Sequence, residues 1–192
     1  MNSVRSFVAV PLPSEVQTQI FAAAQELARD LRGVSWSRKV ENLHVTIKFL
    51  GQVEEERLER LAAALARALG VLPCFRIELR RMGAFPSAHH ASVLWAGVDD
   101  VERGLASVAA AVEAVTVQLG FPGEQRSFSA HVTIGRSRQR GGVDARAALD
   151  TFATRQLGQA TVSEVHLYES RLGGEGSTYL LRSRAQLGNS PN

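Results

Sequence analysis

Hydrophobic and polar positions recur along the chain with two periods, and each period predicts a different kind of element. Short apolar or alternating segments are typical of strands. They occur at 7–10, 43–51, 75–79, 92–96, 131–134 and 162–168. Apolar residues three or four positions apart are typical of amphipathic helices. They occur over 14–31, 58–69 and 105–119, and more weakly around 149–152.

The first predicted helix carries signals at both ends. Ser14 and Gln17 stand three positions apart, the spacing of a capping box in which each side chain bonds the backbone of the other residue. Gly33 follows Leu31, the last apolar residue of the pattern, and glycine is a common helix stop. We therefore expect a helix that Ser14 opens by capping.

The order of the elements repeats along the chain. Each half has a strand, a helix and then a strand that begins His-x-Thr, and His44 and His131 stand 87 positions apart in 192 residues. Such a repeat predicts an α+β fold with two pseudo-symmetric lobes, each a small antiparallel-rich sheet with outer helices, and a cleft between them. We expect residues 1–192 to form one two-lobed domain. Coincidence among alternating elements is the alternative.

Two tetrads of the form His-x-Thr-x, at 44–47 and 131–134, are the candidate chemical groups. Because side chains two positions apart in a strand share a face, His44 and Thr46 are expected to point together. The apolar residues between and after them, including Phe49, are expected to pack into the core. The second tetrad has the same pattern, so the two would converge if the lobes face each other.

Two histidines and two threonines in one cleft favour acid–base chemistry on a phosphate. Histidine has a pKa near neutrality, so one ring can remove a proton while the other donates one to a leaving group. Threonine hydroxyls beside the rings can donate hydrogen bonds to phosphate oxygens. A cyclic phosphodiester suits such a site, because it already contains its leaving group and needs one activated water and no metal.

The charge of the chain is modest, and most of its cations are arginines. There are 22 Lys and Arg against 19 Asp and Glu, a net charge of +3, and only two of the cations are lysines. This balance excludes a strongly polybasic tail but allows a local arginine surface that binds phosphate through bidentate hydrogen bonds. The densest basic group flanks the second tetrad and consists of Arg126, Arg136, Arg138 and Arg140. For the last two, a solvated loop is an equally good interpretation.

The number of cysteines and the length of the apolar segments indicate the cellular compartment of the protein. A single cysteine, Cys74, excludes an intramolecular disulfide and a CxxC zinc ribbon. No segment has the length and apolar character of a signal peptide or a membrane span. We therefore expect a cytoplasmic protein without a membrane partner.

The residues around both tetrads resemble those of the two-histidine phosphoesterase superfamily. Segments 42–51 and 128–136 carry the resemblance, supported by 5–10, 93–97 and 165–170. Within the superfamily the chain is most similar to the bacterial and archaeal RNA 2′,3′-cyclic phosphodiesterases, historically called 2′-5′ RNA ligases. One departure is Ala130, where the family commonly has proline.

The resemblance implies an enzyme that opens a terminal RNA 2′,3′-cyclic phosphate to a 2′-phosphomonoester, without a metal or cofactor, and that could also carry out reversible 2′-5′ RNA ligation. It implies that His44 is the proton donor and His131 the proton acceptor. Thr46 and Thr133 would hold the phosphate, supported by Arg136. By strict alternation Arg136 points away from His131, so it reaches the cleft only if the strand ends or twists at position 135.

Other functions stay open from the sequence alone. The chain could act on another cyclic phosphate or on a 2′-5′-linked oligonucleotide, or it could bind RNA without turnover. The expected partners are RNA termini or small cyclic-phosphate nucleotides, and we expect a monomer. Intact tetrads favour the enzyme, because binding alone needs no acid–base pair.

The remaining histidines and the aromatic residues have simpler interpretations. His89 and His90 lie in a turn-like segment and are expected to be solvated rather than to bind metal. His166 has no threonine two positions on and is expected to face solvent or the margin of the site. Four aromatic residues could offer a face to a terminal base, although each is more typical of packing: Trp36, Phe85, Tyr168 and Tyr179.

Overall fold

The computed structural model describes residues 3–174 and 176–188, which form nine strands and four α-helices. The strands are β1 (Ser3–Pro11), β2 (Val34–Trp36), β3 (His44–Glu54), β4 (Phe75–Phe85), β5 (Val93–Asp99), β6 (His131–Ser137), β7 (Gln156–Val162), β8 (Glu164–Gly173) and β9 (Gly176–Gln186). The helices are α1 (Ser14–Asp30), α2 (Glu55–Leu69), α3 (Gly104–Gln118) and α4 (Arg146–Asp150). The predicted alternation of strands and helices is confirmed.

All nine described strands lie in one antiparallel sheet, in the order β7-β4-β5-β6-β3-β1-β8-β9, with β2 paired to β6. We call β3, β1, β8 and β9 the first half-sheet, and β6, β5, β4 and β7 the second half-sheet. The halves join through the pair Val45–Val132, and each valine directly follows a tetrad histidine. The α+β fold with pseudo-symmetric halves is confirmed, and the two small sheets expected from the sequence are halves of one continuous sheet.

Each long helix that precedes a tetrad lies against the opposite half-sheet. Helix α1 precedes β3 but packs against β7 and α4, whereas α3 precedes β6 but packs against β3 and α2. The spacing of apolar residues explains the buried faces, because residues three and four apart lie on one side of a helix. The buried leucines of α2 show this pattern: Leu58, Leu61, Leu65 and Leu69. The connection before each tetrad therefore crosses the boundary between the halves.

Two details of the sequence prediction are wrong. Ser14 is the first residue of α1 rather than its cap, and the Gln17 side chain donates from Nε2 to the carbonyl of Leu43 at 2.9 Å instead of bonding the helix start. The predicted strand at 162–168 is two strands, because β7 ends at Val162 and β8 begins at Glu164. Neither β2 nor β9 was predicted, since β2 has only three residues and the polar residues of β9 hide its alternation.

Candidate active site

The two tetrads line one open cleft of about 1560 Å³ at the junction of the half-sheets. Strands β3 and β6 are neighbours there, and each begins with the histidine of its tetrad. Both histidines therefore lie beside the boundary between the half-sheets. The predicted site residues that line the cleft are His44, Thr46, His131, Thr133 and Arg136. The structure therefore brings together the two tetrads and Arg136 in one cleft.

The two histidines have the same backbone anchor. Nδ1 of His44 lies 2.7 Å from the carbonyl oxygen of Asn42, and Nδ1 of His131 lies 2.7 Å from that of Ser129. A carbonyl only accepts hydrogen bonds, so Nδ1 carries a proton in both rings. Nε2 is then the ring nitrogen left for a partner in the cleft. At His44 it accepts a hydrogen bond from Oγ1 of Thr46 at 3.0 Å.

Burial strongly perturbs the first histidine. Loss of solvent lowers the pKa of His44 from its ordinary value of 6.5 to about 4, the bond to the Asn42 carbonyl opposes the fall, and the charge of His131 adds to it. The His44 ring is accordingly neutral at pH 7. A role as proton donor therefore requires an anion beside the ring that raises its pKa.

A β-bulge after each tetrad changes which side chains face the cleft. On β3, Thr46 pairs with Ala9 and Lys48 with Val8, so Ile47 is an extra residue. On β6 the pairing skips Ile134 in the same way. A bulge reverses the alternation beyond it. The first six residues of the two strands consequently have the same pattern of buried and more exposed side chains.

The bulges decide the positions of Arg136 and Phe49. Arg136 lines the cleft with the tetrads, because the bulge at Ile134 reverses the alternation one residue before Gly135, where the sequence required the strand to end or twist. Phe49 occupies the matching position on β3 and is 55% exposed in the same cleft. The prediction that Phe49 packs into the core is wrong, because strict alternation takes no account of the bulge at Ile47.

The cationic lining of the cleft comes from both halves. Of the arginines that flank the second tetrad, Arg126 and Arg136 line the cleft, whereas Arg138 and Arg140 lie outside it. Lys39, together with Arg38, enters from the connection between β2 and β3. The sequence offered no sign of these two, because their place depends on where that connection crosses.

Aromatic rings surround both histidines. Phe7 stacks on the His44 ring with centroids 5.0 Å apart, and Tyr179 meets the same ring edge-on at 5.3 Å. Phe85 meets His131 edge-on at 5.1 Å. Tyr179, Phe85 and Trp36 line the cleft, as a base-binding face would require, whereas Tyr168 stacks behind Phe7. Phe7 was missed, because its approach to His44 depends on the pairing of β1 with β3.

The other histidines lie elsewhere. His89 and His90 are exposed, as predicted, and Nδ1 of His89 lies 3.3 Å from Asp144. The prediction for His166 is wrong, because it is only 6% exposed and its ring lies 2.8 Å from both Glu164 and the Tyr168 hydroxyl. In residues 3–174 and 176–188, no group of three or more His, Cys, Asp or Glu side chains is placed to hold a metal ion.

Comparison with known proteins agrees with this geometry. A sequence profile described as LigT-like phosphoesterase matches residues 10–95, which include the first tetrad. The RNA 2′,3′-cyclic phosphodiesterase of Archaeoglobus fulgidus is 30% identical over 178 residues, covering 92% of this chain and 96% of that protein. The protein of the same name from Methanocaldococcus jannaschii is 30% identical over 180 residues, with the same two coverages. The chain belongs to the LigT-like phosphoesterase family.

Solved structures extend the likeness of this LigT-like phosphoesterase to the whole chain. A protein of Thermus thermophilus superimposes with a TM-score of 0.81 at 26% identity, covering 97% of this chain and 100% of that one. E. coli LigT complexed with 3′-AMP gives a TM-score of 0.77 at 25% identity, covering 97% and 99%. The resemblance predicted from the two tetrads is confirmed. No helix in the described ranges is long and apolar enough to cross a membrane.

Proposed function

We propose that this LigT-like phosphoesterase hydrolyses the 2′,3′-cyclic phosphate at an RNA end to a 2′-phosphomonoester. The observation that carries the proposal is the convergence of two His-x-Thr tetrads on one cleft, with Nδ1 of both rings tied to backbone carbonyls. The names of the relatives support the substrate class. The 3′-AMP complex of E. coli LigT supports a nucleotide as the ligand.

The proposed reaction is one in-line displacement at phosphorus. Nε2 of His131 accepts a proton from water, and the water oxygen forms the new bond to phosphorus. The bond from phosphorus to the 3′ oxygen breaks, and His44 donates the proton that this oxygen needs. The products are a 2′-phosphate and a 3′-hydroxyl. If the 5′-hydroxyl of a second RNA end takes the place of water, the same displacement forms a 2′-5′ phosphodiester and releases the 3′-hydroxyl, which is the proposed ligation. The reverse of that step re-forms the cyclic phosphate and the 5′-hydroxyl.

In this scheme, substrate binding causes His44 to become protonated. Burial keeps the pKa of His44 near 4, so the ring is neutral before an anion arrives. A phosphodiester anion beside the ring favours the charged imidazolium and raises its pKa. His44 thus becomes an acid only when the substrate is in place. The near symmetry of the tetrads lets the rings exchange roles in the reverse direction.

The threonines and the arginine are proposed to bind the phosphate. The Thr46 hydroxyl donates to Nε2 of His44, and turning it toward a phosphate oxygen would free that nitrogen for protonation. Thr133 is the equivalent residue of the second tetrad. Arg136 offers a guanidinium that matches two phosphate oxygens at once. These donors stabilise the charge that builds on the phosphate, so the scheme uses no metal or cofactor.

The size and charge of the cleft favour an RNA end over a small cyclic nucleotide. Its volume of about 1560 Å³ exceeds the range of roughly 300–1,000 Å³ typical of sites for small ligands. Arg38 and Arg126 line it beyond the tetrads and could contact backbone phosphates without reading bases. We propose that the chain acts as a single two-lobed domain and monomer, in the cytoplasm.

Turnover by single-residue variants tests the proposal. Wild-type protein should open an RNA oligonucleotide that ends in 2′,3′-cyclic phosphate, and both His44→Ala and His131→Ala should lose activity by several orders of magnitude. His89→Ala is the matched control, because that ring is exposed outside the cleft. Activity that survives in both tetrad variants would refute the acid–base pair. Binding without turnover by the wild-type protein would favour a non-catalytic RNA-binding module.

A further inference from the structure

The connection before each tetrad is anchored on the strand of the other tetrad. Before the first tetrad, the anchor is backbone pairing: Trp36 of β2 pairs with Gly135 of β6, and the Ser37 amide donates to the carbonyl of Ile134 at 2.9 Å. The same connection continues to Asn42, whose carbonyl holds Nδ1 of His44. The orientation of His44 is thus supported from the second half-sheet.

The connection before the second tetrad, residues 119–130, has no strand of its own. Side chains anchor it instead, and the first of them is Arg57 of α2, whose Nη2 donates to the carbonyl of Leu119 at 2.7 Å. Nζ of Lys48, which directly follows the bulge of β3, lies 2.6 Å from Oε2 of Glu113 and donates to the carbonyl of Pro122 at 2.9 Å. The other carboxylate oxygen of Glu113 accepts from the Glu124 amide at 2.9 Å. Lys48 and Glu113 together therefore hold both ends of the short segment 122–124.

The burial of Lys48 makes this anchor specific. Its side chain is only 4% exposed, and a buried ammonium is costly unless charge and hydrogen bonds compensate it. The hydrogen bond from Lys48 also holds the pKa of Glu113 below its usual range, so Glu113 is ionised at neutral pH.

The matching position on β6 explains why a side chain is used on one strand only. Lys48 corresponds to Gly135, the residue after the second bulge. A Cβ at Gly135 would lie 2.8 Å from Cγ1 of Val34 and 3.0 Å from the Trp36 ring. Side chains of β2 occupy that space, so β6 cannot carry a side chain there. On β3 the space is filled by the lysine, which reaches the crossing connection.

From this arrangement we infer that Lys48 is a positioning residue for His131. It acts through Glu113 and the segment 122–124, which leads to Ser129, whose carbonyl holds Nδ1 of His131 at 2.7 Å. Loss of the anchor lets the connection move and releases the carbonyl. The His131 ring then loses its hydrogen bond to that carbonyl. This bond keeps the ring proton on Nδ1 and so keeps Nε2 without a proton. The catalytic part of the inference rests on the proposed function, but the effect on the ring does not.

The variant Lys48→Met removes the ammonium while keeping much of the side-chain volume. Long-range proton–nitrogen NMR at alkaline pH reports which ring nitrogen is protonated, and the His131 signals are assigned by their loss in His131→Gln. We expect wild-type His131 to carry its proton on Nδ1 and the variant to shift toward the Nε2–H form. On a cyclic-phosphate RNA, kcat should fall about tenfold or more with KM within about twofold, because small misplacements of a catalytic group reduce rate more than binding.

Arg182→Met is the matched control, because it removes ion pairs to the buried Glu169 in the first half-sheet and to Glu55 at the start of α2, and neither partner lies in the connection 119–130. It should lower the melting temperature without changing the His131 proton position or kcat. A Lys48→Met protein that folds and keeps both the Nδ1 proton and kcat would overturn the inference, as would an equal shift in Arg182→Met. If Lys48→Met does not fold, Glu113→Gln decides: it should show a smaller shift of the same sign, and no shift would overturn the inference.

An inactive wild-type protein would count against the proposed function alone. The position of the His131 proton is measured without substrate, so the anchoring role of Lys48 remains testable in that case. Conversely, full activity in Lys48→Met with an unchanged ring would remove the positioning role and leave the proposed function standing. The two results are therefore distinguishable.

Discussion

We predict that binding of a phosphate anion raises the pKa of His44 and so leads to protonation of its ring. The fall in the pKa of His44 from 6.5 to about 4 corresponds to roughly 3 kcal/mol for charging the ring in place. A unit negative charge about 4 Å from the imidazolium contributes about 4 kcal/mol at the effective dielectric typical of protein sites. One phosphate anion is therefore sufficient to offset the cost of burial, and the pKa of His44 should return to 6.5 or above when it binds.

The assay is an NMR titration of the histidine ring signals, with His44 assigned by comparison with His44→Gln. Without ligand, His44 should titrate near pH 4. With a nucleoside 2′-monophosphate at saturation, it should titrate at about pH 6.5 or above, roughly 2.5 pH units or more higher, as the charge interaction above requires. A His44 that titrates near its ordinary value without ligand would contradict the effect of burial, and a pKa that the ligand leaves unchanged would refute the coupling of proton donation to binding.

Two further predictions concern Arg136 and stability. Arg136→Ala should lower kcat/KM about 10- to 100-fold, the loss expected for a charge-assisted hydrogen bond of roughly 1.5–3 kcal/mol; Arg138→Ala, outside the cleft, should stay within about twofold, and equal kinetics for both variants would remove the role of Arg136. The lowered pKa of His44 means that the unfolded chain binds an extra proton between about pH 4 and 6.5, so stability falls as the pH falls through that window. Urea unfolding of His44→Gln should show a weaker pH dependence there than wild type, and identical slopes would count against the buried neutral ring.

The tetrad residues of the candidate site could be predicted from the sequence, because their shared orientation depends on local spacing. Histidine and threonine two positions apart in a strand share a face whatever the rest of the fold does. The repeat of the tetrads then predicted their convergence, which the pairing of Val45 with Val132 achieves. Local pattern and fold symmetry were sufficient for these residues.

Features that depend on register could not be predicted in this way. A bulge shifts the pairing of two strands by one residue, and nothing in the amino-acid pattern marks where it occurs. The sequence therefore does not signal that Phe49 and Arg136 change face. The stacking of Phe7 on His44 depends on which strand lies beside β3. The link from Lys48 to Glu113 joins residues 65 positions apart through a helix that crosses between the halves. Such contacts follow from tertiary topology rather than from periodicity.

The product of hydrolysis tests the central claim most directly. An RNA oligonucleotide ending in 2′,3′-cyclic phosphate is incubated with the protein in excess EDTA, and the phosphate isomer at the new end is identified by phosphorus NMR against 2′- and 3′-phosphate standards. The expected result is undiminished turnover to the 2′-phosphate alone, because in the proposed mechanism His44 protonates the departing 3′ oxygen and no metal takes part. A 3′-phosphate product, or turnover that EDTA abolishes, would contradict this account.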